Sequence, residues 1–279
     1  MQKLFWTKSG ARLQRVRQEK TSSLNWIFLP GGPGLGSESL ARLTSILQSK
    51  RLALSGNFWQ LDLPGDGSNT TSNNTQSFQR WSVALIEAIE EFKDVILVAH
   101  STGGMYALST PKLESLLKGL ILLDSAPDEE YIELFSQELI KKPLPHLEML
   151  QIKYQKNPNN QTLKEMTIAT APYLFTQKGL KNGIEMLQHL PYNYETCQWS
   201  EKNFDQTYKA KWIPKKIPTL ILAGECDLIT PLHLFTKAKD FARDNIVIKS
   251  IKNAGHFPWI DNPKEVIHTF QEFYNTFYC

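Results

Sequence analysis

Residues 95–108 read VILVAHSTGGMYAL and join an apolar, β-forming run to the start of a helix, with Ser101 at the junction. A serine on so sharp a turn presents its hydroxyl above the end of the strand. Small residues must flank it, here Ala99 and Gly103, because strand and helix nearly touch. A match of this kind also occurs by chance in turns whose serine is only structural. A nucleophilic role for Ser101 therefore depends on partners elsewhere in the chain.

Length and composition narrow the possible classes of protein. The 279 residues are 41% hydrophobic and 11% aromatic, enough for the core of one large α/β domain or two ordinary ones. No run approaches the roughly 18 apolar residues of a membrane span, and residues 1–7 lack the pattern of a secretory signal, so we expect a cytoplasmic protein. The net charge of +3 is too mild to indicate a nucleic-acid partner. The three cysteines are widely spaced and indicate neither a disulfide framework nor a metal site: Cys197, Cys226 and Cys279. No cofactor is expected.

Short apolar runs alternate with helical patterns along the chain. This alternation predicts a mostly parallel sheet with crossover helices, the α/β fold class. Pro263 follows Asn262 and Pro231 follows Thr230, and both pairs are typical of a helix cap followed by a first-turn proline. The predicted strands are Trp26–Leu29, Phe58–Leu61, Val95–Val98, Leu120–Leu123, Leu220–Leu222 and Ile246–Ile248.

The alternation stops between residues 126 and 212, which carry helical patterns but no convincing strand. We predict a core formed by residues 1–125 and 213–279, with residues 126–212 inserted as a helical cap. Six of the nine tyrosines fall in this segment. They either pack the cap against the core or form an aromatic pocket wall. No arginine occurs between Arg80 and Arg243, so the cap supplies no guanidinium clamp for a substrate carboxylate or phosphate.

A serine hydroxyl needs a histidine to take its proton, and that imidazole needs a carboxylate to fix its tautomer. Asp227 follows the predicted strand at 220–222, and His256 follows the one that begins at Ile246. Both therefore fall at the carboxyl edge of a parallel sheet, where Ser101 also emerges. The sequence thus predicts a catalytic triad of Ser101, Asp227 and His256.

A glycine-rich loop, PGGPG at residues 30–34, follows the first long apolar strand. Glycines allow a backbone N–H to approach a substrate oxygen, so we assign an oxyanion hole to the N–H groups of Gly32 and Thr102. The alternatives are a plain tight turn or a phosphate loop, although the loop lacks the lysine ending of a P-loop and the full dinucleotide pattern.

With these parts in this order, the chain resembles the α/β-hydrolase superfamily over nearly its whole length. The resemblance implies an α/β-hydrolase fold with an inserted helical cap and favours Asp227 as the acid. Gly31–Gly34 and Ile217–Ile221 look most like the prolyl aminopeptidase branch. The family landmarks are Gly31–Gly34, Asp62–Ser68, Ala99–Gly104, Ile217–Asp227, Gly255-His256 and Asp261–Pro263.

Three features depart from the prolyl aminopeptidases. Pro30 stands where they usually have histidine, the serine motif is not GGSWG, and Leu228 stands where some members use an acidic residue to hold the substrate amine. Glu185 or Glu195 can replace that anchor, but nothing aligns them. We therefore expect a serine hydrolase that cleaves an ester or amide of a small, largely apolar acyl group through an acyl-enzyme. The alternatives are a prolyl aminopeptidase acting on short peptides, an acyltransferase and a non-catalytic ligand receptor.

Three further residues compete for roles near the site. Asp124 ends another predicted core strand and is the rival acid. His100 adjoins the serine, and packing or a substrate contact suits it better than base chemistry because residues alternate in direction there. Cys226 has no such turn of its own, so a structural thiol is the default interpretation.

Overall fold

The computed structural model describes residues 4–48, 54–70 and 77–278. Within these ranges, eight strands form one sheet in the order β1-β2-β4-β3-β5-β6-β7-β8. The last six strands of this order pair in parallel, whereas β1 and β2 add an antiparallel edge. The strands are β1 Leu4–Trp6, β2 Arg12–Arg17, β3 Asn25–Leu29, β4 Asn57–Asp62, β5 Val95–His100, β6 Leu117–Leu123, β7 Thr219–Gly224 and β8 Ile246–Ile251.

Every strand predicted from the sequence lies inside one of these strands. Buried parallel strands are covered on both faces, so they form continuous apolar runs that the sequence reveals. The short edge strand β1 gives no such signal because Leu4 and Trp6 are exposed.

Helices cover both faces of the sheet. The closing helix begins at Pro263, as the sequence predicts, whereas the helix after Pro231 begins only at His233. In the described ranges the α-helices are α1 Ala41–Leu47, α2 Trp81–Glu90, α3 Thr102–Leu108, α4 Glu130–Lys141, α5 Leu147–Lys156, α6 Asn160–Ala169, α7 Ala171–Leu174, α8 Leu180–His189, α9 Tyr194–Asn203, α10 His233–Lys237, α11 Pro258–Asp261 and α12 Pro263–Tyr278. None of the helices in this part of the chain has the length and apolar character needed to cross a bilayer.

Two apolar cores lie on opposite faces of the sheet, because successive side chains of a strand point in opposite directions. On one face Phe28 and Val98 pack in the same cluster as Trp259 and Phe270 of α11 and α12. On the other face, Leu29, Leu97 and Leu122 pack with residues of α2 and α3.

The segment between β6 and β7 contains helices α4 to α9. Its division from the rest of the chain at residues 126 and 212 stays a prediction. Three residues of its α5, α6 and α8 nevertheless belong to the apolar cluster on the α12 face of the sheet: Tyr154, Leu163 and Leu187. The helical segment therefore packs against the part of the chain that contains the sheet.

Several hydrogen bonds attach the helical segment to the rest of the chain, among them the 2.8 Å bond from the Thr176 hydroxyl to Asp261 of α11 and bonds to loops at the carboxyl edge of the sheet. At the start of α9, Asn193 donates its backbone N–H to the carbonyl of Gly34 at 2.9 Å and its side-chain amide to the carbonyl of Gly65 at 2.8 Å. At the end of α7, the carbonyl of Leu174 accepts from the backbone N–H of His256 at 2.8 Å. The segment is thus fixed to the glycine-rich loop and to the His256 loop.

Candidate active site

Ser101 occupies a strained turn between β5 and α3. Its φ of 51° and ψ of −124° lie outside the helical and extended regions. The backbone holds this conformation through a 2.8 Å bond from the Ser101 N–H to the carbonyl of Leu123 and a 2.9 Å bond from the Ser125 hydroxyl to the carbonyl of Ser101.

Glycine is required where the helix leaves this turn. A Cβ on Gly103 would lie 2.3 Å from the carbonyl oxygen of Pro30, closer than real atoms come. Ala99, on the other side of Ser101, is fully buried in the sheet. The structure therefore explains the small residues around Ser101 by close approach of three chain segments.

The structure brings Ser101, His256 and Asp227 into hydrogen-bonding range. Oγ of Ser101 lies 3.1 Å from Nε2 of His256, and Nδ1 of His256 lies 3.0 Å from Oδ2 of Asp227. A carboxylate only accepts hydrogen bonds, so Nδ1 carries the proton and Nε2 presents its lone pair to the serine hydroxyl. This is the tautomer that a general base requires.

The carboxylate of Asp227 is held on both oxygens. Oδ1 accepts from the backbone N–H of Ile229 at 2.8 Å, and Oδ2 accepts from the hydroxyl of Thr230 at 2.9 Å. Burial alone would raise the pKa of Asp227, but the His256 imidazole and these donors outweigh it and hold that pKa below its usual value. Asp227 is thus an ionised partner for the imidazole, and Thr230 is a part of the site that sequence analysis interpreted only as a helix cap.

The glycine-rich loop and the start of α3 lie beside the serine. Gly32 has a φ of 63°, and both Gly32 and Thr102 line the cavity that contains Ser101. Among the hydrogen bonds of the described residues, none uses the backbone N–H of Gly32 or Thr102 as a donor. These two N–H groups thus belong to residues that line the same cavity as Ser101, and their role as an oxyanion hole stays a prediction.

His100 packs against His256 instead of acting in its place. Nε2 of His100 lies 3.0 Å from the backbone carbonyl of His256, so that nitrogen is the donor. Burial and the neighbouring His256 lower the pKa of His100 to about 3, which keeps the ring neutral. The ring is enclosed by Phe257 and Trp259 at centroid distances of 4.9 Å. These contacts fit packing, one of the two roles that the sequence favours. His100 also lines the cavity that contains Ser101, so a substrate contact stays a prediction.

Asp124 lies next to the group, at the end of β6. One potential ligand atom from each of Asp124, Asp227 and His256 falls within 4.8 Å of the others. This is the arrangement of the described residues that comes nearest to a metal-ligand set. Because Nδ1 of His256 and both oxygens of Asp227 already take part in hydrogen bonds, the cluster is better described as a hydrogen-bonded one.

Ser101 and His256 open onto a cavity of about 320 Å³ beneath the helical segment. Pockets for small molecules usually hold about 300–1,000 Å³, so this one is at the small end. Two larger depressions, of about 420 and 560 Å³, contain none of the predicted triad or oxyanion-hole residues. Apolar side chains form much of the wall: Leu35, Phe135, Leu174, Leu187, Ile229 and Phe257.

Two carboxyl groups of the helical segment also line this cavity, Glu201 and Asp205. Asp205 is half-buried, and burial raises its pKa to about 6. Glu201 is an exposed residue, although desolvation of its carboxyl group also raises its pKa. Sequence analysis named Glu185 and Glu195 as candidate anchors instead. Glu185 lines the 560 Å³ depression, and Glu195 is exposed.

Comparisons with known proteins agree with this architecture. At 26% identity over 94% of both chains, the sequence is similar to pimeloyl-[acyl-carrier protein] methyl ester esterase of Wigglesworthia glossinidia brevipalpis. It is 24% identical to putative esterase/lipase 2 of Mycoplasma pneumoniae, over 89% of this chain and 88% of that one.

Solved structures show the same fold. A proline iminopeptidase-related protein from Thermus thermophilus superposes with a TM-score of 0.72 at 18% identity, covering 99% of this chain and 98% of that one. A thermophilic esterase from Thermogutta terrifontis superposes with a TM-score of 0.68 at 16% identity, covering 100% of both chains. The model of the alpha/beta hydrolase family matches residues 26–269. The chain therefore belongs to the alpha/beta hydrolase family.

Proposed function

We propose that this protein is a serine hydrolase that cleaves an ester or amide of a small, largely apolar acyl group through an acyl-enzyme intermediate. The observation that carries this proposal is the continuous set of contacts from Ser101 Oγ to His256 at 3.1 Å and from His256 to Asp227 at 3.0 Å, opening onto a cavity. Relatives named as esterases support the ester-cleaving part.

In the proposed mechanism, Oγ of Ser101 attacks the substrate carbonyl carbon while Nε2 of His256 takes the hydroxyl proton. Asp227 stabilises the resulting imidazolium. The negative oxygen of the tetrahedral intermediate accepts hydrogen bonds from the N–H groups of Gly32 and Thr102. His256 then gives the proton to the leaving alcohol or amine, and a water molecule, activated by the same imidazole, hydrolyses the acyl-enzyme.

The cavity supports an acyl group of limited size. Its volume of about 320 Å³ and its aliphatic and aromatic wall favour a short apolar chain. We propose that residues 126–212 act as the cap of this cavity, since Phe135 and Leu174 of this segment line the same space as Ser101. An acyltransferase would use the same groups, with an alcohol or thiol replacing water.

Covalent labelling tests the nucleophile directly. A fluorophosphonate probe should label the wild-type protein once, and Ser101→Ala should abolish labelling and reduce turnover of p-nitrophenyl butyrate by several orders of magnitude. Ser136→Ala is the matched control, because Ser136 is an exposed serine of α4. Labelling of folded Ser101→Ala at another residue would remove the proposed mechanism.

A specific observation favours aminopeptidase activity as the second candidate. An enzyme that requires a free amino terminus must hold an ammonium group, and a desolvated cation needs carboxylates near it. Glu201 and Asp205 line the same cavity as Ser101, and burial leaves the charge of Asp205 in particular poorly solvated. A substrate whose acyl group carries an amine near the carbonyl would place an ammonium group close to these carboxylates.

Matched substrates separate the two candidates. We expect an esterase to hydrolyse proline p-nitrophenyl ester and its N-acetyl derivative with comparable kcat/KM, whereas an aminopeptidase loses activity on N-acetylation. In the second case Glu201→Gln and Asp205→Asn should each raise KM for the free amine, with Glu195→Gln, which is not among the residues that line the cavity, as control. Because the pKa of Asp205 is about 6, the preference for the free amine should also fall as the pH drops through that value.

A further inference from the structure

Asp124 is a buried carboxyl group that the proposed mechanism does not use. It follows β6 in a positive-φ conformation (42°), and its backbone N–H donates to the carbonyl of Leu222 at 2.8 Å. Oδ1 accepts from the backbone N–H of Gly224 at 2.8 Å. Oδ2 is buried, and no donor in the described part of the chain reaches it, although an ionised carboxylate can only accept hydrogen bonds.

The groups around the Asp124 carboxyl indicate its protonation state. The carboxyl groups of Asp124 and Asp227 are near enough to interact directly, and His256 completes the group within 4.8 Å. Asp261 also acts on Asp124 through its charge. Among the ion pairs of the described residues, none joins Asp124 to a lysine or arginine. Two ionised carboxylates side by side in a fully buried space would repel each other strongly.

Asp227 and Asp124 accept different numbers of hydrogen bonds. Asp227 receives hydrogen bonds from Ile229, Thr230 and His256, which stabilise its negative form. Asp124 receives one backbone N–H. Burial raises the pKa of Asp124 well above its usual value, and the charge of Asp227 raises it further. The single negative charge of the pair therefore resides on Asp227.

We propose that Asp124 is a protonated, neutral acid that donates a hydrogen bond from Oδ2 to the carboxylate of Asp227 and so acts as a positioning residue. The inference rests on the proposed function of Ser101, His256 and Asp227. A proton on Oδ2 turns this oxygen into a donor, and the carboxyl groups of Asp124 and Asp227 are near enough to share that hydrogen. The bond adds to the backbone and hydroxyl contacts that orient Asp227 toward Nδ1 of His256.

Substitution of Asp124 tests this role. Asparagine has the same shape, is neutral, tolerates positive φ, and can accept from Gly224 while donating to Asp227. Asp124→Asn should therefore keep kcat/KM within about threefold of the wild type. Asp124→Gly also tolerates the backbone conformation but removes the donor, and it should lose on the order of 10- to 100-fold, the effect of a hydrogen bond to a charged group.

The pH profile distinguishes a neutral Asp124 from an ionised one. If Asp124 is neutral, Asp124→Asn leaves the acid limb of kcat/KM unchanged. If Asp124 were ionised, the same variant would remove a negative charge near His256 and move that limb to lower pH by about one unit or more. Such a move, or a tenfold loss of activity in Asp124→Asn with unaltered thermal stability, would overturn the proposal.

Infrared difference spectroscopy supplies a readout that needs no activity. The wild-type minus Asp124→Asn difference spectrum should contain the carbonyl stretch of a protonated carboxylic acid, while the difference with the exposed Asp240→Asn should not. Other acids with raised pKa values, such as Asp66, are present in all three proteins and cancel. Failure of fluorophosphonate labelling in the wild type would refute the proposed function and leave this band to decide the protonation of Asp124. Absence of the band from the wild-type minus Asp124→Asn difference spectrum would refute the inference.

Discussion

Replacement of Asp227 by asparagine should reverse the tautomer of His256. Oδ1 of Asp227 accepts backbone N–H groups from Ile229 at 2.8 Å and Thr230 at 3.3 Å, so the amide oxygen of asparagine would take that side. The amide nitrogen, a donor, would then face Nδ1 of His256. To accept this bond, the imidazole must leave Nδ1 bare and carry its proton on Nε2, the atom 3.1 Å from Ser101. It can then no longer accept the serine proton.

The expected loss follows from this geometry. With the base in the wrong tautomer, kcat should fall by roughly three to four orders of magnitude, or about 4 to 5.5 kcal/mol of transition-state stabilisation. The assay is hydrolysis of p-nitrophenyl butyrate together with the rate of fluorophosphonate labelling, which should fall in parallel. Thermal unfolding must show that the variant is folded.

Asp124→Asn is the matched control, since it makes the same chemical change one strand away and should leave turnover near that of the wild type. A loss below about tenfold in folded Asp227→Asn would refute the tautomer argument. The reverse pattern, a large loss in Asp124→Asn alone, would transfer the role of the acid to Asp124.

Two further predictions concern loops around the site. Gly31→Ala would place a Cβ 2.3 Å from Cβ of Ser101 and 2.5 Å from the carbonyl oxygen of His100, so we expect a lower melting temperature and slower fluorophosphonate labelling; wild-type values for both would contradict the crowding argument. Burial raises the pKa of Asp66 to about 7, so the stability that this group contributes is present at low pH and is lost as the pH rises through about 7. Asp66→Asn should therefore raise the melting temperature more near pH 8 than near pH 4, and an equal change at both values, measured by calorimetry, would contradict this assignment.

The sheet could be predicted from the sequence because its strands are fully covered. Val95–Val98 and Leu220–Leu222 are continuous apolar runs, and each lies within an observed strand. Neither the order of the strands in the sheet nor the strand β1 could be predicted from apolar runs. The three residues of β1 include the exposed Leu4 and Trp6. Local patterns report burial, whereas strand order depends on pairings between distant segments.

Some residues of the candidate site could be predicted from the sequence and others could not. Ser101, Asp227 and His256 could be placed at one edge because each follows a strand of a parallel sheet. Thr230 looked like a helix cap, yet its hydroxyl donates to Asp227, and the helix begins at His233. Glu201 could not be singled out, because its place in the cavity depends on how the helical segment packs above a serine about a hundred positions earlier, and no local pattern encodes that packing.

The attachments of the helical segment through Asn193 and Leu174 also bear on how the shape of the cavity can diverge within the alpha/beta hydrolase family. Asn193 ties the segment to the glycine-rich loop, and Leu174 ties it to the backbone of His256. Tyr131 and Phe135 of α4 line the cavity but take part in neither attachment, and no residue of α4 is buried. We therefore expect substitutions in α4 to reshape the cavity at small cost in stability, while Ser101 and His256 keep their positions. Selection for new substrates should act first on this helix.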